Sequence, residues 1–144
     1  MIDEAAKAAR RAQIQNELQR LRHSRDDNTS ARNRLNAQIE DLRTASHRLE
    51  GCIGRMTQIE RRFEQCHNVV PIKEFAGGRR KRAESRLIAT GGNVNRKIKR
   101  HESNLNRINR GINEFGANRD NLIATITTQN NRISDLEREL RGLW

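Results

Sequence analysis

Apolar residues recur in steps of three and four through nearly the whole chain, and the recurrence is interrupted at one stretch, Asn68-Val69-Val70-Pro71-Ile72-Lys73-Glu74-Phe75-Ala76-Gly77-Gly78. Leading into it the positions are Ile14, Leu18, Leu21, Leu35, Ile39, Leu42, Leu49, Ile53, Met56 and Phe63, with Val70 the last in phase, inside the stretch itself. Polar residues keep the same phase at Arg25, Asn28, Arg32, Ser46, Glu60 and His67. After it come Leu87, Val94, Ile98, Leu105, Ile108, Ile112, Phe115, Leu122, Ile126, Ile133, Leu136, Leu140 and Leu143, with Gly91, His101, Arg119 and Gln129 in phase between them. Alternating threes and fours make a seven-residue repeat, the pattern of helices packed along a seam. The break holds the chain's single proline and one of its two glycine pairs. Proline lacks an N–H and clashes with the preceding turn, so a long helix ends there.

Two heptad arms and a short corner fold most simply as a long antiparallel helical hairpin, a two-helix coiled coil. The expected layout is one helical-hairpin domain over 1–144, with arm one at about 3–67, the corner at about 68–78 and arm two at about 79–142. An arm of about sixty residues spans roughly 90 Å at 1.5 Å per residue. Asp3 and Glu4 suit a helix N-terminus, where they complement the macrodipole. Ser24-Arg25-Asp26-Asp27-Asn28-Thr29-Ser30 could cap a new helix, but Leu21 and Leu35 stand two heptads apart without slip, which favours one continuous arm. Thr90-Gly91-Gly92-Asn93 is the weakest point of arm two, because each glycine costs about 1 kcal/mol relative to alanine in a helix. A kink or local fraying is expected there rather than a second corner.

Composition agrees with an all-α class. The chain is 33% apolar and 33% charged with a mean hydropathy of −0.99, too polar for a thick core. Aromatic content is 3% with no tyrosine, against a strand-rich fold. A two-helix seam is thin for its length, so pairing with further helices, from a second copy or another helical protein, is expected.

Net charge is +11, mostly from arginine. Residues 79–110 carry eleven cations against Glu84 and Glu102, or +9 of that total. Arg79, Arg80, Lys81, Arg82, Arg86, Arg96, Lys97, Lys99 and Arg100 head this basic face, most of it off the seam. Such a face suits nucleic-acid phosphates or an acidic protein partner. No aromatic residue interleaves with the run, and no helix-turn-helix, zinc finger or basic zipper accompanies it, which puts a solvated face or protein contact ahead of nucleic acid. Folding the chain back at the corner also brings Arg119 close to the Asn28–Leu35 region. Arg25, Arg32 and Arg119 then share one zone of the seam. Either their stems cover it with the guanidinium groups in water, or Asp26, Asp27, Glu114 or Asp120 pairs with them, or the arms part and a partner inserts.

No catalytic, cofactor-binding or metal-ligating constellation is expected. His23, His47, His67 and His101 are dispersed, Cys66-His67 lacks a second ligand pair, and Gly77-Gly78-Arg79-Arg80-Lys81-Arg82 lacks P-loop spacing. On one helix Cys52 and Cys66 stand roughly 21 Å apart, too far for a disulfide. No apolar run reaches a membrane span, and the N-terminal residues lack the order of a cleaved signal. The expectation is a chain made in the cytoplasm.

A long helix, a corner holding Phe75-Ala76-Gly77 and a second long helix with a basic start resembles the WXG-type hairpin proteins of type VII secretion. Within them it is similar to the longer YwqH-like group of helical partners of LXG-domain toxins. Phe75-Ala76-Gly77 takes the place of the family's Trp-x-Gly. The family's Tyr-x-x-x-Asp/Glu export signal has no counterpart, since tyrosine is absent and Phe115 and Asp120 are one residue too far apart for a phenylalanine version. The resemblance implies a non-enzymatic adaptor that binds a secreted toxin's helical targeting domain and is co-secreted with it. Phe75 and Gly77 would fix the corner, and Arg25, Arg32 and Arg119 would contribute to partner binding. The rival expectations are a nucleic-acid-binding coiled coil and a structural homo-oligomer.

Overall fold

A computed structural model describes residues 3–69 and 78–144, with side chains there except at 66–69 and 79–80. Helix α1 runs over Glu4–Val69 and helix α2 over Gly78–Gly142. The two pack against each other as an antiparallel helical hairpin, with no strand among the described residues. The corner residues 70–77 lie outside the described residues. Helix α1 passes unbroken through Ser24–Ser30, and α2 passes unbroken through Gly91 and Gly92. Asp3 caps the first helix: its Oδ1 accepts a hydrogen bond from the Ala5 N–H at 3.0 Å, and its carbonyl accepts one from Lys7 at 3.1 Å.

Contacts divide the pair into two compact units, each built from both helices. The first comprises residues 1–40 with 113–144. Its core is Ile14 and Leu18 of α1 against Ile133 and Leu136 of α2, with Leu21, Leu140 and Leu143 packed on them. Ile39 and Ile126 are buried too. Seam positions alternate as the a and d sites of a heptad, with Ile14 at d and Leu18 at a. Flanking e and g sites carry the interhelical ion pairs. Arg10 forks onto Glu139, with Nε to Oε1 at 2.7 Å and Nη2 to Oε2 at 3.0 Å. Arg132 donates to Glu17 on the same flank, and Arg22 donates to Glu137 on the other. A polar layer interrupts the apolar seam: Asn28 Nδ2 donates to Gln129 Oε1 at 3.2 Å, and Gln129 Nε2 donates to Ser24 Oγ at 2.9 Å. Both Asn28 and Gln129 need this partner because they sit half-buried. At the end of α2, Arg11 donates twice to the Leu143 carbonyl, at 3.1 and 2.9 Å, and lies 4.5 Å from the centre of the Trp144 ring. An arginine of α1 thus supplies hydrogen bonds to a carbonyl just past the last turn of α2, which has no partner within that helix.

The hydrogen bonds from Arg10 hold the Glu139 carboxyl below its ordinary pKa. A folded-state pKa lowered in this way contributes stability above the unfolded value, and that contribution disappears as pH falls through the folded one. Glu139→Gln is therefore expected to melt slightly below the wild type at pH 7, with the gap narrowing as the pH falls below the ordinary carboxylate range. A gap that does not narrow with acidification would locate the effect in packing rather than charge. Because the pair is exposed, the difference is small and shrinks in high salt.

The second unit is Asp41–Ile112. Among the described residues its seam is thinner: Ile98 is the buried hydrophobic residue there, whereas Leu42, Leu49, Ile53, Met56, Phe63, Leu87, Val94, Leu105 and Ile108 are half-buried. Ser46 is buried in the seam and its hydroxyl donates to Asn109 Oδ1 at 3.3 Å. The Nδ1 of His101, at a d position, is buried without a hydrogen-bond partner.

Candidate partner-binding face

The residues singled out from the sequence do not form one site. Phe75 and Gly77 lie outside the described residues, as do the side chains of Arg79 and Arg80. Arg25, Arg32 and Arg119 are half-buried in the first unit, where their stems cover the seam. Their heads bond to the next residue in the chain: Arg25 to Asp26 at 3.3 Å, Arg32 to Asn33 at 3.3 and 3.1 Å, and Arg119 to Asp120 at 3.3 Å. Arg25 also reaches Asn130 across the seam at 3.4 Å. Both Asp26 and Asp120 are 69% exposed, so these pairs sit in solvent and contribute little to stability. Asp27 lies instead beside His23, at 3.6 Å.

Charge separates the two units sharply. Residues 41–112 hold seventeen cations against seven acids, a balance of +10, while residues 1–40 with 113–144 hold twelve against eleven, or +1. Almost the entire net charge therefore belongs to the corner-containing unit.

Within that unit the charge is sorted by face. Its seam phase places Ala45, Cys52 and Ile59 of α1 and Ala83, Thr90, Lys97 and Asn104 of α2 at g positions. Beyond them the c positions carry Arg48, Arg55 and Arg62 on α1 and Arg86, Arg100 and Arg107 on α2, all exposed. Successive members of a row stand one heptad apart, about 10.5 Å along the helix, except where Asn93 interrupts the α2 row. This flank carries seven cations and no acid between Ala45 and Arg62 and between Ala83 and Arg107. Glu50, Glu64 and Glu102 fall at e positions on the opposite flank, mixed there with Arg43 and Lys81, while Glu60 and Glu84 are half-buried at a.

The basic run of α2 is consequently not one surface. Arg86, Lys97 and Arg100 share the c/g flank, Lys81 belongs to the e flank, and Arg82, Arg96 and Lys99 point outward at f and b positions. What a reading along α2 misses is the matching row on α1. Arg48, Arg55 and Arg62 are seven apart, a spacing visible in the sequence, but their meaning depends on the antiparallel register that sets them opposite α2.

Between the rows lies an open groove of about 530 Å³ lined by Ala45, Arg48, Leu49, Cys52, Asn104, Arg107 and Ile108. Its floor is apolar and its walls are arginine. Arg55 donates to the Cys52 sulfur at 3.2 Å. Ile59, 48% exposed, sits at the next g position of α1. A second groove, of about 480 Å³, lies on the opposite flank around Phe63, Leu87 and the 70%-exposed Ile88, with Glu60 and Glu64 on its α1 side. Among the described residues no cluster of His, Cys, Asp and Glu could hold a metal ion, and no helix is long and apolar enough to cross a membrane. The arrangement defines a helical hairpin with a cationic groove on one face of its corner-containing unit. Comparison with known families, curated proteins and solved structures gives no match.

Proposed function

We propose that this chain is a non-enzymatic helical adaptor that binds another helical protein through its corner-containing unit. The observation that carries the reading is the coincidence, in one unit, of a +10 charge balance, a half-buried seam and an open apolar groove between arginine rows. Apolar contact would supply affinity, and the cationic rows would orient an acidic partner and raise its association rate. The resemblance of the Phe75-Ala76-Gly77 corner to the WXG-type hairpins points to the partner class, the helical N-terminal targeting region of a type VII-secreted, LXG-type toxin. On this reading the chain is made in the cytoplasm and leaves with its cargo. Co-expression with such a region encoded beside it should give a complex that co-elutes in size-exclusion chromatography. Separate elution of the two would remove this assignment.

The +9 run at residues 79–110 favours one second reading, a nucleic-acid-binding coiled coil. That reading requires binding to random duplex DNA at micromolar or tighter affinity in physiological salt, with a steep decline as salt rises. The adaptor reading expects no micromolar duplex binding under those conditions.

A further inference from the structure

We propose that the groove between the two arginine rows is the docking site for an acidic amphipathic helix. The inference rests on the adaptor reading and adds to it the place of contact and the chemistry of the docked segment. Three observations select this occupant.

The first is the floor. Ala45, Leu49, Cys52 and Ile108 expose an apolar strip where the other unit closes the same flank with the Arg10–Glu139 and Arg132–Glu17 ion pairs. Small side chains at the α1 flanking positions Ala45 and Cys52 leave room for a third helix to lie along the pair, its own apolar stripe facing the strip. A nucleic-acid backbone would engage the arginine rows without needing such a floor.

The second is the walls. Arg48 and Arg107 both line the groove, and the rows continue at heptad spacing on each helix. A docked helix with carboxylates on both edges of its apolar stripe, repeating every seven residues, meets cations on both sides at its own period. The third is the absence of acid from this flank between Ala45 and Arg62 and between Ala83 and Arg107, with Asp41 at the c position before Arg48 lying at the edge of the unit. A second copy docking over that stretch would set cations against cations with no carboxylate between them, which like-charge repulsion opposes.

The test uses the full-length chain and a synthetic amphipathic helix of about four heptads. The peptide has a leucine and alanine stripe edged by glutamates, and a lysine-edged version is the control. Fluorescence anisotropy is expected to show binding of the acidic peptide, weakening with salt, and none of the lysine-edged one. Arg48→Glu/Arg107→Glu should reduce affinity at least about tenfold. Glu50→Gln/Glu102→Gln on the opposite flank should leave it unchanged. Far-UV circular dichroism checks helicity, and Arg48→Gln/Arg107→Gln replaces the charge reversal if that variant loses it.

The proposal is overturned if the acidic peptide fails to bind, or if it binds the two groove variants as well as it binds wild type. It is equally overturned if duplex DNA binds at this flank and the peptide does not, which identifies a phosphate-binding surface. Sedimentation showing a dimer abolished by Arg48→Glu/Arg107→Glu assigns the flank to a second copy instead. Retained co-elution of the toxin region with that variant overturns the docking site and leaves the adaptor reading standing. Peptide binding without co-elution of wild type and toxin region does the reverse.

Discussion

Leu136→Ala is expected to destabilise the hairpin by about 3 kcal/mol and to lower its melting temperature by roughly 10 °C. Leu136 is fully buried and packs with Ile14, Leu18 and Ile133 in an apolar cluster of buried residues on which Leu21, Leu140 and Leu143 pile. Removing three carbons there costs their transfer free energy and leaves a cavity that two long helices, fixed by flanking ion pairs, close only in part. Ile98→Ala in the other unit should cost less, because Ile98 remains 7% exposed and its seam neighbours are half-buried, so solvent already reaches much of what would be lost. Melts followed at 222 nm, at one protein concentration, decide the order. A Leu136→Ala shift of less than about 2 °C, or a larger shift for Ile98→Ala, would mean that stability does not reside in the first unit.

Much of this seam was legible from apolar spacing alone, because a packed helix pair imposes one period on both chains and hides the same phase throughout. Every seam position read between Ile14 and Phe63 and between Leu87 and Leu143, including the polar ones, is buried or half-buried. The polar members were legible as positions but not as interactions. Nothing in the spacing says that Asn28 meets Gln129, or that Ser46 meets Asn109, since those bonds depend on which residue of the other arm lies opposite. The same dependence hid the cationic groove. Charge density along α2 is a one-dimensional signal, whereas a groove between Arg48 and Arg107 exists only once two helices are set side by side. The Arg11 contacts at Leu143 and Trp144 were hidden in the same way, since they too depend on which residue of the other arm lies opposite.

The two units use flanking positions in opposite ways. In the first, Arg10 with Glu139 and Arg22 with Glu137 complement each other across the seam, so the flanks are satisfied within the molecule. In the second, the c/g flank between Ala45 and Arg62 and between Ala83 and Arg107 offers cations with no acid to pair them, an arrangement that stabilises the pair little. The helix proposed to dock on the second unit would cover apolar surface that the pair itself leaves half exposed.

The double substitution Gly91→Ala/Gly92→Ala is expected to stabilise the chain by about 2 kcal/mol, because each glycine in a helix interior costs about 1 kcal/mol relative to alanine. Helix α2 runs through both positions, and a Cβ built on either meets nothing within 4 Å, so the substitution gains helix propensity without a steric cost. The gain should appear as a melting temperature raised by roughly 6 °C. Gly111 provides a contrast of a different kind: a Cβ there would touch Leu42 Cδ1 at 3.5 Å, an ordinary contact in the seam itself, so Gly111→Ala adds packing as well as propensity. The glycine pair lines the groove around Phe63 and Ile88, on the flank opposite the arginine rows. If the pair serves only to lower helix stability, the double variant melts higher and still binds the acidic peptide at wild-type affinity. A fall in melting temperature would show that α2 departs from regular helix at Gly91 and Gly92, and that the flexibility of glycine is required where the sequence places its weakest point.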